Sequence, residues 1–159
     1  MRRYLAFLLY PGLLSGCTGP VNGVTGLTVD TEGNLRVVLA WCGDPPETVV
    51  VYHNENDRSV QDAVYTAPPL SGITTSFRLD RPDNGWQVTN PLGELNPELI
   101  YLIFGGSADN SHGTASVHFR LADTERLATA PGRIQVDLGA HNLLTEADFL
   151  TESEEQCDG

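Results

Sequence analysis

The sequence predicts an all-β domain, an antiparallel β-sandwich of seven to eight strands with one short C-terminal helix. Several short segments alternate apolar and polar residues, as half-buried strands do. The chain holds 16 Gly and 10 Pro, a content that favours frequent turns over long helices. Its 159 residues are enough for one domain with a real core, and many short strands separated by turns are typical of a sandwich.

The predicted strands begin at residue 27. Leu27 and Val29 lead through the turn residues Glu32, Gly33 and Asn34 into the second strand, which predicts a hairpin. The alternating segments are 35–41, 73–80, 115–122 and 134–138, with a weaker strand at 60–66. Residues 49–52 and 99–104 are apolar on both faces, and this pattern predicts central strands.

A single helix is predicted near the C-terminus. Thr145 is a suitable N-cap, and acidic residues follow it in the first turn. Leu144, Phe149 and Leu150 are the residues that we expect to dock this helix on the sandwich. The helix leads towards Cys157.

The first residues have the pattern of an export signal. A positive start with Arg2 and Arg3 precedes an apolar stretch at 5–14, which is too short to span a bilayer, since that takes about 20 residues. Leu14-Ser15-Gly16-Cys17 then resembles the lipobox of bacterial lipoproteins, Leu-[Ala/Ser]-[Gly/Ala]-Cys, at all four positions. The resemblance implies cleavage before Cys17 and a diacylglyceryl group on its sulfur. The alternative is an ordinary signal peptide with a chance cysteine.

The resemblance divides the chain into a signal peptide at 1–16, a lipidated Cys17 with a flexible tether at 17–26, and a sandwich domain at 27–159. It implies a palmitate-type anchor in the cell membrane, with the domain on the extracytoplasmic face. The membrane is then one partner, through the lipid on Cys17, and an envelope protein is a candidate second partner. The layout also resembles small actinobacterial lipoproteins of unknown function, which implies no activity.

Two further cysteines remain, Cys42 and Cys157. In an oxidising compartment we expect them to form a disulfide. The bond would close a loop of about 115 residues, worth about 4–5 kcal/mol in the chain-entropy model. Two free thiols or a metal site are the alternatives, and neither cysteine has a second Cys or a His at ligand spacing.

A second resemblance covers about residues 27–122. Leu95, Pro97 and Tyr101 match the Leu-x-Pro-x-Thr-x-Tyr run of fibronectin type III domains, with Leu99 in place of the usual Thr. Trp41, followed by two prolines, resembles the core Trp of the second strand in that family. The resemblance implies an immunoglobulin-like sandwich in which the Tyr101 hydroxyl bonds to backbone near the Leu.

The charge argues against a nucleic-acid partner. The net charge is −12, and without Arg2 and Arg3 the mature chain has seven basic residues against 21 acidic ones, a balance of −14. Nucleic acid and polybasic membrane contacts require clustered Lys and Arg, which this chain lacks. The oligomeric state has no signature in the sequence.

No catalytic, cofactor or metal site is predicted. Ser107 follows two glycines, but no helix follows to form a nucleophile elbow. Residues 109–112 place Asp109, Ser111 and His112 in one loop, and an envelope hydrolase using this loop is the alternative to a non-catalytic protein. A small-ligand or metal-binding lipoprotein is a third hypothesis, and it requires a concave pocket with converging polar groups.

Metal ligands are sparse in the sequence. The four histidines, at 53, 112, 118 and 141, do not have zinc-site spacing, and His118 falls on the polar face of a strand. The oxygen-rich run at 54–57 is interpreted as a solvated turn, with weak calcium binding as the alternative.

Trp86 is the candidate recognition residue, with Gln87 beside it. It lies in an irregular stretch at 81–96, where a Trp either plugs the end of a sandwich or forms an exposed anchor. The plug is the favoured interpretation, and the exposed anchor is the alternative. The leading hypothesis from the sequence is a membrane-tethered, non-catalytic interaction or accessory module of the cell envelope.

Overall fold

The structure is a computed structural model, and it describes residues 19–138 and 143–157. The predicted signal peptide, Cys17 and His141 lie outside these ranges. The described residues form eleven strands and two helices: β1 (Val21–Val29), β2 (Leu35–Trp41), β3 (Thr48–Glu55), β4 (Arg58–Thr66), β5 (Thr74–Arg78), β6 (Gln87–Asn90), β7 (Tyr101–Gly106), β8 (Gly113–Ala115), β9 (Val117–Phe119), α1 (Leu121–Ala128), β10 (Ile134–Gln135), β11 (Leu143–Leu144) and α2 (Glu146–Cys157). The predicted β-rich class is confirmed.

The strands form one curled, mixed sheet in which β1 is the junction. Along one path the order is β11-β10-β1-β8-β7-β3-β4-β6, while β2 joins β1 to β5 and β9 pairs with β7. The β1–β2 hairpin and the central positions of β3 and β7 agree with the sequence prediction, and the structure adds a β3–β4 hairpin. The prediction that all strand pairs are antiparallel is wrong for one pair. The β7–β8 hairpin returns the chain so that β8 runs parallel to β1.

The curl brings two layers of strands face to face and makes the domain sandwich-like. Inward residues alternate along the strands, as a period of two requires. The core residues with no exposed surface include Leu27, Val37, Leu39, Val49, Val51, Ala63, Tyr65, Phe77, Ile103 and Val117. A second cluster, around Val24, Ala40, Ile134, Val136 and Phe149, lies between the sheet and α2.

The prediction of a flexible tether at 17–26 is wrong from Val21 onwards, because β1 begins at that residue. Val24 and Thr25 are buried. Gly23 and Gly26 are needed for close packing: a Cβ at Gly23 would overlap the backbone of Ala40, and one at Gly26 would overlap the side chain of Ile134. The Gly-rich composition therefore reflects tight contact with neighbouring strands rather than flexibility.

The strand predicted to continue to residue 122 ends at Phe119 and is followed by α1. The Asp123 carboxylate accepts the backbone N–H of Arg120 at 2.8 Å and so caps the first turn. Leu127 is the buried residue of this short helix and joins the main core. One helix was therefore missed, because its apolar contact with the domain rests on a single residue.

The predicted C-terminal helix is confirmed as α2. The backbone N–H of Asp148 donates to Thr145 Oγ1 at 3.1 Å, which is the expected N-cap contact. Phe149 is fully buried against the sheet. The helix ends at Cys157, which forms a disulfide with Cys42.

The loop that follows β5 is fixed by one acidic side chain. Asp83 accepts two hydrogen bonds from the Arg36 guanidinium, at 2.8 and 3.1 Å, and a third from the backbone N–H of Arg78 at 3.0 Å. Asn84 also donates to the carbonyl of Ser76 at 2.8 Å. These contacts satisfy one N–H and one carbonyl of β5, which would otherwise be free to pair with another chain.

We expect Asp83→Asn to lower the stability of the domain by about 1 kcal/mol or less, because the carboxylate is partly exposed. The Arg36 guanidinium holds the pKa of Asp83 below its usual value. A lowered folded-state pKa contributes stability above the unfolded value of about 3.9, and this contribution is lost as the pH falls further. Urea unfolding between pH 7 and pH 2 should therefore show a shallower pH dependence for the variant, whereas the exposed Glu94→Gln control should follow the wild type.

Candidate functional site

An open concave surface lies on the outer side of the sheet, beside the start of β1. It is an open groove of about 560 Å³. We call it the outer groove, and the side chains that define it are Val21, Tyr52, Phe104, Ser116, His118 and Asp137. They come from β1, β3, β7, the β8–β9 junction, β9 and the segment after β10, so the curl of the sheet assembles the groove.

Two aromatic side chains form the apolar wall of the outer groove. Tyr52 on β3 and Phe104 on β7 meet edge to face, with ring centroids 5.9 Å apart. Both are half-buried, and Val21 nearby is 46% exposed. Val51 and Ile103, the neighbours of these aromatics along the two strands, point the other way into the core. The two strands are therefore apolar on both faces, and the outer face is only partly covered at Tyr52 and Phe104.

The polar wall of the outer groove contains a His–Asp pair. His118 points outward from β9 and contacts the carboxylate of Asp137 through Nδ1. The carbonyl of His118 accepts a hydrogen bond from Gln135 Nε2 at 2.9 Å, and Gln135 in turn accepts one from Arg126 at 2.7 Å. Both members of the pair are well exposed, and the bonds behind them fix β9 against β10 and α1.

The loop at 109–112 brings a hydroxyl and an imidazole together without an acid behind the ring. Ser111 Oγ lies 3.2 Å from His112 Nδ1. Asp109 is bonded to Ser111 rather than to the imidazole, and hydrogen bonds from Ser111 lower the pKa of Asp109 to about 2. Nε2 of His112 is buried and has no hydrogen-bond partner within 19–138 and 143–157. A catalytic triad needs an acid that orients the imidazole from its second nitrogen. Asp109 does not occupy that position, so the loop does not form the triad that the hydrolase hypothesis requires.

Trp86 is a core residue, which agrees with the plug interpretation and contradicts the alternative of an exposed anchor. Its exposed fraction is 4%, and its ring stacks on Phe77 with centroids 4.4 Å apart. The turn at 83–86 directs the ring inward: the N–H of Trp86 donates to the carbonyl of Asp83 at 3.1 Å, and Gly85 has a φ of +84°. Gln87 is exposed on β6, and the buried ring of Trp86 does not join it at the surface.

The remaining candidate ligands form structural contacts. His53 Nδ1 lies 2.8 Å from Asp62 Oδ2, within the β3–β4 pair. Asn56 and Asp57, with φ values of 48° and 60°, form the tight turn of that hairpin, which agrees with the interpretation of 54–57 as a turn. Throughout the part of the chain that the structure describes, no three His, Cys, Asp or Glu side chains are placed to hold a metal ion.

Sequence reasoning missed the outer groove, although a signal for it was present. The segments at 49–52 and 99–104 were interpreted as central strands because both of their faces are apolar. The central position is correct, but the second apolar face is only partly covered and borders the groove at its aromatic residues. Tyr52 and Phe104 are on that face, and their pairing with each other depends on strand register, which the sequence does not specify.

Comparisons of the chain with protein-family models, with curated proteins and with solved structures found no match. Neither α1 nor α2 has the length and apolarity needed to cross a bilayer, and these are the two helices of the described residues. The fold and the site thus define a class, a small β-rich, sandwich-like domain with an open aromatic groove on its outer face. Any functional conclusion depends on the geometry and the sequence motifs.

Proposed function

We propose that this chain is a lipid-anchored protein of the extracytoplasmic face of the cell membrane, and that its domain is a non-catalytic interaction or accessory module. The observation that carries the proposal is the disulfide between Cys42 and Cys157, whose Cα atoms are 6.3 Å apart. Disulfides persist in oxidising compartments outside the cytoplasm. The bond uses two of the three cysteines and leaves Cys17, the last residue of Leu14-Ser15-Gly16-Cys17, for acylation.

The strength of the proposed anchor follows from the physical chemistry of acyl chains. Each buried methylene contributes about 0.8 kcal/mol, so that one chain holds a protein weakly and two hold it stably. A diacylglyceryl group on the Cys17 sulfur supplies two chains. The acidic domain itself has no cluster of Lys or Arg to bind anionic lipids, so attachment depends on the lipid.

For the domain we propose an immunoglobulin-like sandwich of the fibronectin type III kind. One contact and one buried residue support it. The backbone N–H of Asn96 donates to the hydroxyl of Tyr101 at 2.8 Å, next to Leu95, where a tyrosine corner would place the bond. Trp41, the proposed core Trp of the second strand, is 3% exposed.

The non-catalytic role is supported by the geometry of the loop at 109–112. The hydroxyl and the imidazole are adjacent in sequence, and the nearby carboxylate is engaged by Ser111. An interaction role needs an accessible surface with apolar character, and the outer groove provides one.

The anchor is tested by labelling producing cells with a clickable palmitate. We expect the wild type to incorporate the label and Cys17→Ala to lose it completely. Ser15→Ala is the matched control, because Ala is accepted at this position of the lipobox and labelling should persist. Intact mass should show that the mature chain begins at Cys17 and carries acyl groups. A purified chain that retains residues 1–16, or that has no acyl mass, would contradict the proposal.

A further inference from the structure

We propose that the outer groove lies against the headgroups of the bilayer that holds Cys17, so that Val21, Tyr52 and Phe104 contact membrane lipid. This inference rests on the proposed lipid anchor and adds the orientation of the domain. Its occupant is the outer surface of a lipid bilayer, not a soluble ligand. The observation that carries it is the short length of chain between Cys17 and the groove.

The chain is fixed to the fold from Gly19 onwards. A Cβ at Gly19 would lie 2.7 Å from the carbonyl oxygen of Asn110, so the backbone is in direct contact with the 109–112 loop. The carbonyl of Pro20 accepts a hydrogen bond from the N–H of Gly113 at 3.1 Å. Gly19 and Val21 are themselves part of the groove lining.

Only one residue separates Cys17 from this fixed point. Each residue of an extended chain spans at most about 3.6 Å, so the Cα of Cys17 lies within about 7 Å of the Cα of Gly19 in any conformation. This distance is comparable to the thickness of one headgroup layer, which is about 5–7.5 Å, since the two interfacial regions together account for the difference between about 30 Å and about 40–45 Å. A lipid on Cys17 therefore brings the rim of the groove to the membrane surface.

The side chains at this rim suit a bilayer interface. Tyr combines an apolar ring with a polar tip and is enriched where membrane meets water. Val21 and Phe104 add apolar surface beside it. The ionisable groups that face the groove are His112, His118 and Asp137, and no Lys or Arg is among them. We therefore expect contact with zwitterionic lipid, made possible because a covalent anchor keeps the groove at high effective concentration near the surface.

The opposite end of the domain provides an internal reference. β1 runs from Val21 at the groove to Val29, eight steps of about 3.3 Å, or about 26 Å. The exposed turn that holds Thr31 follows Val29. In the proposed orientation this turn lies far from the lipid.

The test uses the acylated full-length mature protein in phosphatidylcholine vesicles whose acyl chains are brominated near the headgroup. Phe104→Trp reports on the groove, and Thr31→Trp is the matched control at the far turn. The native residues Trp41 and Trp86 are 3% and 4% exposed, which gives both variants the same background. We expect about a two-fold loss of the added emission at position 104, as for an aromatic residue in a membrane interface, and no loss at position 31.

Acylation is confirmed by intact mass before each measurement, so the two proposals can fail separately. An acylated protein with equal quenching at positions 104 and 31, or with none at either, overturns the orientation and leaves the anchor intact. A protein without acyl mass overturns both. If Phe104→Trp does not fold, Val21→Trp replaces it, because Val21 is 46% exposed and lies on the same rim.

Discussion

Replacing both Cys42 and Cys157 by Ala is expected to lower the free energy of unfolding of residues 18–159 by about 2–5 kcal/mol. The sequence separation of 115 residues makes the closed loop long, and the chain-entropy model assigns such a loop about 4–5 kcal/mol. Most of the effect arises in the unfolded chain, which the bond prevents from expanding. Chemical denaturation at pH 7 measures the difference. Residues 18–159 are used because they lack Cys17.

Reduction of the wild type supplies the matched control, since it breaks the same bond without changing a side chain. The reduced protein and the double variant should unfold at similar denaturant concentrations. The helix α2 should remain docked under native conditions in both, because Phe149 is fully buried in the sheet-facing cluster. Equal unfolding midpoints for oxidised and reduced wild type would show that the two thiols are not bonded.

The sequence predicts the strands well because period-two alternation is a local property of the chain. Phe77 on β5 lies between the polar residues Ser76 and Arg78 and is fully buried. Val37 and Leu39 on β2 have the same spacing of two and are also fully buried. The cap at Thr145 is also local, since its hydroxyl bonds to the N–H three residues later. Such features need no knowledge of what lies across the fold.

The errors occur where a contact between distant segments overrides the local pattern. Gly23 and Gly26 have the composition of a tether, yet β2 and β10 pack directly on their backbone. The outer groove is a second example: Tyr52, Phe104 and Asp137 come together only through the pairing of β3 with β7 and the return of the chain after α1. Neither contact leaves a periodic signal in the sequence.

Trp86 is buried, as the favoured interpretation of its position predicts, and its substitution should have a large effect on stability rather than on binding. We expect Trp86→Ala to lower the free energy of unfolding by about 3–5 kcal/mol, because it removes a buried aromatic ring from the core. The ring stacks on Phe77, which in turn packs on Tyr65 with centroids 5.0 Å apart. Thermal and urea unfolding should both detect the change, whereas Gln87→Ala, at the exposed neighbour, should stay within about 0.5 kcal/mol of the wild type.

Trp86→Phe separates the contribution of the ring from that of its polar N–H. In the described residues Nε1 of Trp86 is buried without a hydrogen-bond partner, and an unpaired buried donor costs about 1–3 kcal/mol. Phe keeps an aromatic ring for stacking on Phe77 and removes that donor, so the loss should be clearly smaller than for Ala. If Trp86→Ala instead left the stability unchanged and only weakened the binding of an envelope partner, the ring would be an exposed anchor, and the packing of Trp86 on Phe77 would be wrong.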